Sequence, residues 1–181
     1  MSMSTDVRPI GAETTRSPGE SLAVITESRG PERVDVLFPL VDEDEWPPYP
    51  AESVEAELIA HDLAEIVAVP WFLTNLSRGD IVRVRHDGIG YVGGVIVSRG
   101  GHSTLHVMAA TDDELAPVMR ALADLGARVS SGLEPPMLAV DVPESASLAE
   151  VVRVLTAAES MTCAFTVACD QHPARPRSAC A

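Results

Sequence analysis

The chain has 181 residues, 46% of them apolar, and a formal charge of −14, which suits a globular protein with one ordinary core or two very small ones. All thirteen basic residues are arginine. A pyridoxal Schiff base, a lysine general base and a Walker A loop are therefore excluded, and the acidic balance argues against nucleic acid and anionic lipid as partners.

Residues 1–32 mix Ser, Thr, Gly, Pro and Glu with no apolar period and no signal-peptide h-region, and they predict a disordered leader. Val34, Val36 and Phe38 alternate, predicting a strand over 33–39. The acidic run Asp42–Glu45 then leads into Trp46-Pro47-Pro48, an extended segment that holds its indole at a fixed angle. Ala51–His61 and Ala64–Pro70 read as two further strands, although the apolar spacing there also fits a short helix. Asp87-Gly88 separates the strand-like runs Ile81–His86 and Ile89–Val97. That pattern predicts a hairpin with a two-residue turn, both central residues at positive φ. Residues 33–99 thus form a strand-rich module, either a small barrel or an extension of the sheet that follows.

The period changes after residue 100. Thr104–Ala109 predicts a strand, and Thr111 with Glu114 forms a capping box ahead of the stripe Leu115, Met119, Leu122 and Leu125. Gly126 closes this helix, while Pro117 should bend it or delay its start. Arg128–Leu133 and Met137–Val142 read as strands, Ser147 and Glu150 open a second helix, and Met161–Cys169 is a last strand. The order is β-α-β-β-α-β. An α+β protein is predicted, its second part a ferredoxin-like βαββαβ unit over 100–170 with two helices on one face of an antiparallel sheet. Residues 171–181 predict a flexible tail. Cys163 and Cys169 read as small buried thiols, and Cys180 falls in that tail.

Three segments stand apart from the predicted core: Trp46 after the acidic run, the turn Asn75–Asp80, and the loop Arg99-Gly-Gly-His-Ser-Thr104. Two glycines expose backbone amides, and a histidine and a hydroxyl follow at once, a pairing suited to anion or carbonyl recognition. No metal site is expected: extended strand would hold His102 and His106 about 13 Å apart, and Cys169 with His172 lacks a second pair. No nucleotide loop, nucleophile elbow or cofactor fingerprint occurs, so no cofactor is expected. Stacking aromatics for RNA are missing from Thr104–Ala109 and Met137–Val142.

Trp46-Pro47-Pro48, Glu52, the Asn75…Gly79-Asp80 turn and Gly101-His-Ser-Thr104 resemble the bacterial domain-of-unknown-function family 4265, over about 33–170. The chain departs from that pattern at Val54-Glu55, where a tryptophan is expected, and at Pro70–Asn75. The resemblance implies no activity.

Two readings follow. The first is a noncatalytic binding or accessory protein of a bacterial cytosol, holding a small molecule or peptide between the two parts. Its ligand-binding residues would be Trp46, Glu52, Asp80, Gly101, His102 and Ser103, and its sheet edges are open to homodimer formation. The second is a small metal-independent enzyme of hydrolase or acyl-transfer type. There His102 is the general acid or base, oriented by Glu52 or Asp80, and Ser103 or the Gly100–Gly101 amides hold an oxyanion.

Overall fold

A computed structural model describes residues 30–41, 46–133 and 135–173. The expected leader up to residue 29, the acidic run 42–45 and the chain after 173, Cys180 included, lie outside the described residues.

Five strands close into a barrel: β1 (Glu32–Pro39), β2 (Ala51–Ala60), β3 (Leu63–Ile66), β4 (Ile81–His86) and β5 (Tyr91–Ser98). Successive strands pair antiparallel, and β1 seals the barrel on β5 by a short parallel contact, Val36 opposite Tyr91 and Leu37 opposite Val92. Period-two alternation sends Val36, Phe38, Val54, Ala56, Ile66, Val82 and Val84 inward, where Leu76 joins them. Each such aliphatic side chain, once buried, contributes about 1.5–3 kcal/mol. Gly93 makes room for Phe38: a Cβ at that position would stand 2.1 Å from the ring. Of the two architectures open for this half, the barrel is the one formed, and 51–60 is strand rather than helix.

The hairpin turn differs from expectation. His86 pairs with Tyr91, so four residues cross over instead of two, and only Gly88 takes a positive φ, 101°. The reason lies in Asp87, whose carboxylate accepts from the amides of Ile89 at 3.0 Å and Gly90 at 3.1 Å. That side-chain turn removes the need for a second left-handed residue.

The second half contains β6 (Ser103–Ala109), α1 (Asp112–Asp124), β7 (Arg128–Ser131), β8 (Met137–Val142), α2 (Leu148–Ala158) and β9 (Cys163–Cys169). The sheet order is β7-β8-β6-β9, every neighbouring pair antiparallel. Helix α1 begins directly after Thr111, whose amide donates to Glu114 at 3.2 Å. Pro117 therefore does not delay it, and sits inside the helix without an N–H for the carbonyl four residues back. One face of the sheet, carrying Leu105, Val107, Leu138, Val140 and Val142, packs on Leu115, Val118 and Leu122 of α1 and Val151 and Leu155 of α2. The other face is covered as well. Thr104 and His106 reach across to the barrel's 67–80 segment, where Ser77 Oγ lies 2.8 Å from Thr104 Oγ1. A sheet covered on both sides explains why all six residues of β8 are buried. Cys163 and Cys169 are buried free thiols. Among the described residues, no helix is long and apolar enough to cross a membrane.

Candidate functional site

The seam between barrel and sheet has two chemically distinct parts. In the first, the Gly79-Asp80 turn meets the Arg99–Ser103 loop. The two backbones cross so closely that a Cβ on Gly100 would lie 2.3 Å from the carbonyl carbon of Gly79, a contact only glycine permits. Asp80 is fully buried beside this crossing. Its Oδ1 accepts from the Gly100 amide and from Gln171 Nε2, both at 2.9 Å. Its Oδ2 accepts from the Ser77 amide and Arg99 Nη1, both at 3.0 Å. The Gly101 amide donates to Gln171 Oε1 at 2.9 Å. Ser103 Oγ accepts the Gln171 amide at 2.9 Å, so its own proton goes to His172 Nδ1 at 2.8 Å. His172 then carries its hydrogen on Nε2, facing the Pro143 carbonyl at 3.2 Å. Gln171 and His172, expected in a flexible tail, are thus part of the folded body.

His102 lies against Gly79 of this latch, where a Cβ would stand 3.6 Å from its ring, but its polar partner is elsewhere. Its Nδ1 lies 2.6 Å from Asp141 Oδ1, and Asp141 Oδ2 accepts from Arg128 at 3.3 Å. The carboxylate beside His102 is therefore Asp141, not Glu52 or Asp80. The Gly100 and Gly101 amides and the fully buried Ser103 hydroxyl are all committed to internal partners, which leaves no free oxyanion donors among them.

Glu52 sits elsewhere, buried beneath the segment that follows Pro70. Its carboxylate accepts from the amides of Trp71 at 2.6 Å, Phe72 at 3.0 Å and Leu73 at 3.1 Å. Burial raises its pKa above the ordinary carboxylate value, against the opposing pull of those three amides. Among the described residues no cation pairs with it.

The three residues that Glu52 holds from behind form one wall of the second part of the seam, a hollow of about 570 Å³. Trp46, Trp71 and Phe72 line it from the barrel side, and His106, Met108 and Met137 from the sheet. The Trp46 and Phe72 rings meet edge to face, centroids 5.7 Å apart at 71°, and Tyr49 braces Phe72 at 5.5 Å. His106 lies 3.1 Å from the Pro70 carbonyl through Nε2, which fixes the hydrogen there and leaves Nδ1 as an acceptor. Burial draws the His106 pKa below its usual value, so the ring is neutral at pH 7.

The imidazole that shares a hollow with Trp46 is therefore His106 and not His102, while Asp80, Gly101 and Ser103 belong to the latch. Strand periodicity held the missed signal: Thr104, His106 and Met108 alternate with core-facing Leu105 and Val107, so they must occupy the sheet's other face. Among the described residues no three His, Cys, Asp or Glu side chains gather as a metal-ligating group.

A five-stranded barrel seated on a two-helix antiparallel sheet defines the class as α+β. The chain matches the family described as Domain of unknown function (DUF4265) over residues 52–164, from Glu52 in β2 into the start of β9, and it belongs to that family. The fold is similar to that of a hypothetical protein from Neisseria gonorrhoeae, with a TM-score of 0.60 and 14% identity, covering 78% of this chain and 96% of that one. No curated protein matches the chain.

Proposed function

We propose that this chain is a noncatalytic binding or accessory protein of a bacterial cytosol that holds a small molecule or peptide in the Trp46 hollow. The observation that carries the reading is an open, aromatic-lined hollow with one neutral imidazole acceptor at the junction of two sub-structures, the usual character and place of a ligand site. The antiparallel order β7-β8-β6-β9, with both helices packed on one face, supports a ferredoxin-like unit as the sheet half. The enzyme alternative has a carboxylate at 2.6 Å from His102 in its favour, but lacks an available nucleophile or oxyanion donor beside it.

Mass-spectrometric identification of molecules that copurify with the intact protein, repeated with Trp46→Ala, tests the reading. A species enriched on the natural chain and lost from the variant is expected. Equal recovery from both proteins would place the ligand elsewhere.

A further inference from the structure

The Trp46 hollow is rich in electrons and poor in charge. Trp46, Trp71 and Phe72 present ring surfaces, Met108 and Met137 add thioethers, and Thr74 and Thr166 add hydroxyls; no Asp, Glu or Arg lines it among the described residues. Its one imidazole offers a lone pair on Nδ1. Directly behind the Trp71–Leu73 wall sits the Glu52 carboxylate, held by three amides and balanced by no cation among the described residues. Burial raises its pKa and the three N–H donors pull against that rise, so the group is held as an acceptor with no counter-cation beside it among the described residues. The whole molecule, at −14, adds a negative field. Aromatic rings meeting edge to face at 71°, in a molecule of strongly negative charge, favour a positive guest over a neutral one of equal shape, because ring faces attract positive charge.

Resting on the binding reading above, we propose that the group received by the Trp46 hollow is an organic cation: an alkylated ammonium, carried by a small molecule or by a basic side chain of a peptide. Among the described residues no paired carboxylates line the hollow to hold a cation in one fixed geometry, so ring contacts and the molecule's negative field carry the recognition. The guest's alkyl groups meet the rings and the methionines, and its charge lies over the ring faces.

Both tryptophans of the chain line this hollow, so intrinsic fluorescence reports occupancy directly. The test titrates the intact protein with choline, with its uncharged isostere 3,3-dimethylbutan-1-ol, and with a short trimethyllysine peptide. Choline is expected to bind about tenfold more tightly than the isostere. A peptide tighter than choline assigns the source to a basic side chain, and the reverse assigns it to a small cation; both outcomes support the proposal. Equal affinity for choline and its isostere would overturn the cation preference while leaving the hollow a binding site. No saturable response to any of the three probes would overturn both. Trp46→Leu, with Trp71 as the remaining reporter, should weaken the preference severalfold while circular dichroism stays unchanged. A preference left undiminished by this variant would also overturn the assignment.

Discussion

The latch around Asp80 and the hollow beside Trp46 occupy the same seam, yet they solve opposite problems. In the latch every polar group has an internal partner, and the glycine backbones touch, so no room remains for a guest. In the hollow the side chains are large and mostly apolar, and one half-exposed indole and one imidazole nitrogen face open space. The residues that look most like chemistry in the sequence, a histidine and serine after two glycines, build the closed part. Trp46, which the sequence sets apart, joins Trp71 and a strand histidine that look like packing to build the open part. Polar residues within the seam are thus a mark of joining, and aromatic ones a mark of reception.

The sharpest way to break that contrast is at Asp80. Replacing it with alanine strands the Ser77 and Gly100 amides and the Gln171 side chain in a buried setting. Asp80→Ala should cost about 3–5 kcal/mol in urea unfolding, a large share of a typical domain's stability. A cost below about 1 kcal/mol would show that the latch does not hold the two halves together. Next in size is Gly100→Ala, whose added methyl meets backbone rather than a movable side chain. It should cost about 1–3 kcal/mol in the same measurement, as overpacking does.

Much of the fold was legible because it rests on local patterns. Alternating valines marked β1, β4 and β5, and capping residues marked both helix starts. The hairpin turn was misjudged because Asp87 substitutes a side-chain hydrogen bond for a backbone conformation. The seam was harder to read, since its partners lie far apart in the chain. Asp80 bonds Gln171 across 91 positions, and His102 bonds Asp141 across 39. No periodicity links such residues. Glu52, expected to bind ligand or to orient His102, instead has its carboxylate claimed by three amides of a distant segment.

Trp46 should behave unlike Asp80. It is 38% exposed and its main aromatic contact is the edge-to-face meeting with Phe72. Trp46→Ala should therefore lower stability by only about 1 kcal/mol, while reducing ligand retention by an order of magnitude or more. A stability loss matching that of Asp80→Ala would make the indole a structural plug and erase the distinction between the two parts of the seam.

The smallest effect separates the two titrating groups around the hollow. His106 has its pKa lowered by burial, so below about pH 6.5 the unfolded chain takes up the proton more readily than the folded one. Its contribution is present above that pH and is lost as pH falls through the depressed folded value. Glu52 runs the other way: its pKa is raised, so the folded chain binds the proton first. Its contribution is present below the unfolded carboxylate value, near 4.5, and is lost as pH rises through the elevated folded value. Urea midpoints across pH 4 to 7 should therefore respond differently to two variants. His106→Gln should flatten the part of the profile where stability rises with pH, and Glu52→Gln the part where stability falls. The Gln side chain at 52 retains an acceptor for the Trp71–Leu73 amides, so this second variant keeps enough of the wall to be measured. If His106→Gln leaves the profile unchanged, burial does not shelter the imidazole from protonation.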